Sequence, residues 1–378
     1  MIQQHLTYKE MTDFGCFYTP QRFVNIVHDM IYRNIKNTEE YVLIDTACGY
    51  GTFLNKCNNK FRSLKCNDID LEAVQIAKSK NNINIKYYNK NALYKVSRAM
   101  FDIDENEKLI IIGNPPYNDT TSFVKNTLKK PEPCEIDEDI KTRDLGISFL
   151  LSYNKLCADY IAILHPLSYL IKYANYKLLN AFYSNYSIVD SVIVNSQDFT
   201  MTSKSMGFPI VIILYKRASG IIYQDIKNRI WKTVDDKKFI LKRDVISNYI
   251  SKYPQKNAKL NDKSILFYTM RDINALKRNK TFIEEYSSNA IIVDVEKFHF
   301  YCYVDIFKEY ADQIPYFWGN YEVFIDFDEF NMIKEEFVHA CLMKYPFLQN
   351  KININFRAAD RSKIDLYFKK LLRDIYVY

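Results

Sequence analysis

The chain has 378 residues, 48% hydrophobic and 15% aromatic, with a formal net charge of +7. It is long enough for two or three domains and too apolar for a disordered polymer. No window offers the roughly 18 uncharged apolar residues of a membrane helix, the N-terminus lacks a signal-peptide core, and no pair of the eight cysteines reads C-x-x-C, so the expectation is a soluble, cytoplasmic protein without a disulfide framework or metal site.

Thr19-Pro20 reads as a helix start, with Thr as N-cap and Pro at the first helical position; Phe23, Ile26, Val27, Met30, Ile31 and Ile35 follow at helical spacing. Tyr41–Asp45 (YVLID) is a short apolar run ending in a turn, hence a buried strand. Leu64–Asp68, Ile83–Tyr88 and Leu109–Ile112 repeat that pattern, with helical spacing between the first three, notably over Leu71–Lys80. A helical stretch from about Leu145 leads to a strand at Tyr160–Leu164, and Ile188–Val194 and Ile210–Tyr215 close the series. Strands alternating with helices predict a mostly parallel sheet covered on both faces, with its ligand at the carboxyl ends of the strands. The regularity stops at Arg217-Ala218-Ser219-Gly220, which sets a boundary between an α/β domain, 1–218, and a mixed α+β domain, 219–378. In the latter, aromatic runs such as FHFYCYVDIF and YEVFIDF are mixed with helical spacing over Phe330–Met343 and Ile364–Tyr376.

Only 8 residues are glycine, so each is informative; the bias toward Ile, Lys, Asn, Tyr and Phe reads as the coding of an AT-rich genome. Two glycines follow the first strand in Asp45-Thr46-Ala47-Cys48-Gly49-Tyr50-Gly51, where an acid and a G-x-G turn bring backbone close to a ligand. No Gly-Lys-Ser/Thr follows, so this is not a phosphate-binding P-loop. A second acid, Asp68, ends the next strand at the distance that places a carboxylate on ribose hydroxyls in nucleoside-binding α/β units. The strongest signal is Asn114-Pro115-Pro116-Tyr117, directly after the strand LIII and Gly113. Two prolines fix the loop, which presents an amide, backbone carbonyls and an aromatic face. That set suits a planar substrate with an exocyclic amino group.

Phe17-Tyr18-Thr19-Pro20, Asp45 to Gly51 and Asn114 to Tyr117, in that order and followed by a long C-terminal region, resemble the gamma-class adenine-N6 DNA methyltransferases. These S-adenosylmethionine-dependent enzymes serve bacterial and phage restriction-modification or epigenetic systems. The resemblance covers about residues 14–217. It implies a Rossmann-like class I methyltransferase sheet, a catalytic domain over 1–218 and a DNA target recognition domain over 219–378. Tyr18, Thr19 and Pro20 then match the motif that helps hold the cofactor's methionine end. Asp45, Ala47, Cys48 and Gly49 match the loop that wraps it, and Asp68 the acid on the ribose. Asn91 stands where the family has Asp near the cofactor adenine. Asn114, Pro115, Pro116 and Tyr117 match the catalytic motif, with Tyr117 stacking on a flipped adenine; Phe199, ahead of Phe208, is the choice for the opposite face. Asp119 reads as loop polarity. The implied partners are double-stranded DNA and a cognate restriction endonuclease. Enzymes that methylate glutamine in release factors or guanine N2 in RNA share the tetrapeptide, and a non-catalytic DNA-binding subunit is a further alternative.

Charge is uneven. Lys216–Lys263 holds thirteen basic and five acidic residues, +8; Lys344–Arg373 holds eight and two, +6; between them Asp305–Glu336 holds nine acids against two lysines, −7. The basic stretches are expected to contact phosphate and the acidic one to face away from it. Arg271, Arg278, Arg357 and Arg361 are candidates for reading guanine edges.

Overall fold

The computed structural model describes residues 19–55, 57, 60–80, 84–117, 135–199, 207–255, 260–373 and 375–376. The chain divides into two compact units, one ending at Asp236 and the other beginning at Lys237.

Helix α1 (Gln21–Asn34) buries Phe23, Val24, Val27, Met30 and Ile31 along one face. It starts one residue later than expected: Pro20 is the flanking residue, and its carbonyl accepts from the amides of Phe23 and Val24. Strands β1 (Tyr41–Asp45), β2 (Ser63–Asn67), β3 (Ile85–Tyr88), β4 (Lys108–Gly113), β5 (Tyr160–Pro166), β6 (Tyr186–Asn195) and β7 (Pro209–Arg217) form one sheet. Helices α2 (Leu71–Lys80) and α3 (Leu145–Lys155) fall between β2 and β3 and before β5. The order is β3-β2-β1-β4-β5-β7-β6. All neighbours pair parallel except β7, which runs antiparallel to β5 and β6. Leu109 to Ile112 are wholly buried, as a parallel strand covered on both faces requires. From β1 the chain goes to β2 on one side, and β4 lies on the other. Their carboxyl ends therefore flank a topological switch point, where open α/β sheets bind ligands.

The turn before β4 is held by one side chain. Arg98 is buried, and its guanidinium donates to the carbonyls of Asp104, Glu105, Glu107, Leu156 and Cys157. It thereby joins that turn to the end of α3.

The first unit runs past the expected boundary at 218. Trp231 is fully buried and the Val234 amide donates to Ile193 of β6 at 2.9 Å, so the segment after Gly220 packs with the sheet.

In the second unit, β8 (Leu266–Tyr268) lies between β9 (Phe282–Ile283) and β10 (Ala290–Ile292), both antiparallel to it. Helices α4 (Phe298–Tyr310), α5 (Phe327–Lys344) and α6 (Arg361–Arg373) follow. The run FHFYCYVDIF lies inside α4, whose residues from Phe300 to Phe307 are all buried. A helix buried all round carries no polar stripe, so its period is invisible in sequence. Tyr303 is at its centre, with its ring against Phe307, Phe330, Phe337, Tyr367 and Phe368.

Candidate active site

Asp45 ends β1 at 2% exposure. Its Oδ1 accepts from the Ala47 amide at 3.2 Å, and Oδ2 has no hydrogen-bond partner among the described residues. Burial holds its carboxyl well above the usual carboxylate range, and the nearby Asp68 charge pushes the same way. Gly113, at the end of β4, packs directly on it: a Cβ there would lie 2.6 Å from Asp45 Oδ1, and φ is +144°. Only glycine satisfies both the close approach and the backbone.

After β1 the chain turns through Gly49 (φ 50°) and Gly51 (φ 72°). Asp68 braces that turn, taking the Gly49 amide on Oδ2 at 2.7 Å and the Asp70 amide on Oδ1 at 3.0 Å. Its pKa is raised by burial, against which the two amides pull. Asn67, fully buried, was not singled out by the sequence. Its Nδ2 donates to the carbonyls of Thr46 and Lys90, and its Oδ1 accepts from the Lys90 amide, so one amide clamps the loops after β1 and β3. An amide inside the strand run LKCND was the available signal. Asn91 is engaged by backbone on two sides: Nδ2 donates to the Glu135 carbonyl, in the segment ahead of α3, at 2.6 Å, and Oδ1 accepts from the Leu93 amide of its own loop at 3.0 Å. Cys48 is buried and its amide donates to the Asn67 carbonyl. Ala47 contributes the amide that binds Asp45.

The Asn114–Tyr117 loop leaves β4 beside this crevice. Asn114 Nδ2 donates to the Thr19 hydroxyl at 3.1 Å, so the buried Thr19 meets the loop rather than capping α1. Pro115 is buried, while Pro116 and Tyr117 are half-buried. Burial pushes the Tyr117 phenol up, with the Asn114 amide working against it. Phe199 is placed differently from the expected second wall: it is 2% exposed and its ring lies against Phe23 at 5.1 Å. Phe208 is half-buried at the edge of the same core. Tyr18 and Asp119 lie outside the described residues.

The charged stretches of the second unit are not arranged as their sums suggest. Lys344 pairs with the fully buried Asp305 at 2.9 Å and with Glu309 at 3.2 Å. Arg361 takes Glu309 at 2.8 Å, Lys370 takes Glu329, and Arg357 grips Glu336 with both terminal nitrogens at 2.9 Å. The acidic stretch and the second basic stretch thus neutralise each other within one unit. This corrects the expectation that the second basic stretch serves phosphate and that Arg357 and Arg361 are available to bases. Lys238 and Lys242, in the first basic stretch, are exposed and make no ion pair among the described residues.

No group of three or more His, Cys, Asp or Glu among the described residues is placed to hold a metal ion, and no described helix is long and apolar enough to cross a membrane.

Residues 19–144 match the family model described as ribosomal RNA adenine dimethylase. The structure is similar to that of a SAM-dependent methyltransferase from Anabaena variabilis (15% identity, 56% of this chain and 92% of that one, TM-score 0.35). It is also similar to a dimethyladenosine transferase from Plasmodium falciparum (15% identity, 53% and 62%, TM-score 0.33). A third likeness is to a type I restriction-modification system methyltransferase subunit from Streptococcus thermophilus (14% identity, 79% and 53%, TM-score 0.40). Comparison with the curated proteins gives no match. The strand order with β7 reversed, the glycine turn after β1 and the family-model match over 19–144 identify the first unit as the fold of the class I, S-adenosylmethionine-dependent methyltransferases.

Proposed function

We propose that the chain transfers a methyl group from S-adenosylmethionine to N6 of an adenine flipped out of duplex DNA. The observation that carries this reading is the Asn114–Tyr117 loop, held at the switch point beside the Asp45–Gly49 crevice.

The crevice fits such a cofactor. Asp45 Oδ2 is a buried acceptor without a described partner, and a carboxylate whose pKa burial has raised gains most from a neighbouring cation. Gly49 brings bare backbone to the turn, and Asp68, despite its two amide bonds, keeps lone pairs for ribose hydroxyls. Tyr18 and Pro20 belong to the methionine end in this reading. When bound, S-adenosylmethionine supplies an electrophilic methyl on its sulfonium. Asn114 and the Pro115 carbonyl accept the two N–H groups of adenine N6, which favours a tetrahedral nitrogen and offsets the positive charge that develops on it. Tyr117 stacks on the extruded base, and the proton leaves to water. The second unit recognises the DNA, in a restriction-modification or epigenetic setting.

The family-model match favours a second reading, adenine in RNA. Incubating the protein with labelled S-adenosylmethionine and either duplex DNA or structured RNA, then mapping the modified base, separates the two. Methyl-N6-adenine in DNA is expected. For the Asn114→Ala variant, turnover should fall about a hundredfold or more at unchanged cofactor affinity. Normal turnover would remove Asn114 from the chemistry.

A further inference from the structure

Tyr117 is backed by the first turn of α3, and the contact is made at Gly146. A Cβ on Gly146 would lie 2.9 Å from the Cβ of Tyr117 and 2.4 Å from the Tyr169 hydroxyl. Its φ is outside the left-handed region, so the position demands glycine for space and not for backbone freedom.

The two neighbours differ in how far they can yield. Tyr169 is 1% exposed; its hydroxyl donates to Asp144, and its ring stacks on His165 at 5.4 Å and 16°. His165 is fixed in turn, since Nδ1 donates to the Pro166 carbonyl at 2.9 Å and Nε2 accepts from the Tyr215 hydroxyl at 2.8 Å. Asp144 is the N-cap of α3, with its Oδ1 accepting from the amides of Gly146 and Ile147. Tyr117 is half-buried on its loop. Anything added at Gly146 is therefore resisted on the Tyr169 side and displaces Tyr117.

We propose that Gly146, backed by Tyr169 and Asp144, is a positioning residue for Tyr117: it sets how far the aromatic face is withdrawn, and with that the width of the gap that receives a planar base. The effect on turnover rests on the methyl-transfer reading; the displacement of Tyr117 rests on packing alone.

The test uses the full chain with Gly146→Ala, Tyr169→Phe and the two combined. Gly146→Ala should lower turnover roughly tenfold to a hundredfold, as a misplacement near one ångström does, at unchanged S-adenosylmethionine affinity. Adding Tyr169→Phe removes the nearest obstructing atom, so the new methyl lodges on that side and part of the lost turnover returns. A merely destabilising substitution would be made worse by a second one. As a readout independent of substrate, 3-fluorotyrosine at position 117 should show a fluorine resonance that moves in Gly146→Ala and moves back in the double variant. An unmoved resonance, or a double variant no better than Gly146→Ala, overturns the inference. If the resonance moves as expected while the unmodified chain methylates neither DNA nor RNA, the positioning role stands and the functional reading falls.

Discussion

Replacing Gly113 with alanine tests the junction on which the crevice depends. The new Cβ would meet Asp45 Oδ1 at 2.6 Å, Cγ at 3.1 Å and Oδ2 at 3.3 Å, all on one side chain that is 2% exposed. Overpacking of this kind costs about 1–3 kcal/mol, and holding a non-glycine residue at a φ of +144° adds about 1–3 kcal/mol. The sum, about 2–6 kcal/mol, is a large share of the stability of an ordinary domain. Trp231 belongs to the first unit and Trp318 to the second, so urea unfolding in a Trp318→Phe background reports the first unit alone. In an Asp45→Ala background the steric share vanishes, and the cost of Gly113→Ala should shrink to roughly the backbone share. A loss below about 1 kcal/mol in the parent, or an equal loss in both backgrounds, would refute the packing argument.

Hydrogen bonds from Arg357 hold the Glu336 carboxyl at about 2, below its unfolded value. Its stabilisation of the second unit is therefore full above about pH 4.5 and lost as pH falls toward 2; Glu336→Gln should flatten that limb in acid unfolding followed by Trp318 fluorescence. Burial lowers His165 to about 4, so between pH 6.5 and 4 the unfolded chain takes a proton that the folded chain refuses. First-unit stability should decline over that window, and a His165→Phe variant whose pH profile keeps the decline would contradict it. Reversing Lys238 and Lys242 together should weaken binding to all DNA sequences alike and reduce the dependence of log affinity on log salt, by about 0.9 per lost phosphate contact; an unchanged slope in a filter-binding series would move the DNA path elsewhere.

The first unit was legible because its strands are short, apolar and punctuated. Tyr41–Asp45 and Leu71–Lys80 stand where the sequence put them, and α3 begins at Leu145 as expected. Asp45, Gly49, Asp68 and Asn114 stand out because a polar residue or glycine at a strand end is conspicuous in an apolar, glycine-poor chain, and the structure places them at the carboxyl ends of β1, β2 and β4. What periodicity did not carry is contact between distant positions. Thr19 read as a helix cap and is an acceptor for Asn114, 95 positions away. Phe199 read as a wall and is packed against Phe23. Gly146 sits in a helix turn like any small residue, and only the Tyr117 and Tyr169 contacts give it meaning. In the second unit, summed charge misled because acids and bases counted as separate blocks meet in space, as Arg357, just before α6, and Glu336 of α5 do.

Arg98 has a consequence for how this sequence can diverge. Where coding pressure favours lysine, an arginine that only solvates a surface drifts to lysine at little cost. At position 98 a lysine would offer one nitrogen to carbonyls that now receive three, from Leu156 and Cys157 on one side and Asp104, Glu105 and Glu107 on the other. Each buried carbonyl left without a donor weighs about 1–3 kcal/mol against the fold. Relatives should therefore keep this arginine while the arginines around it are exchanged, and a lineage that loses it should have rebuilt the whole turn.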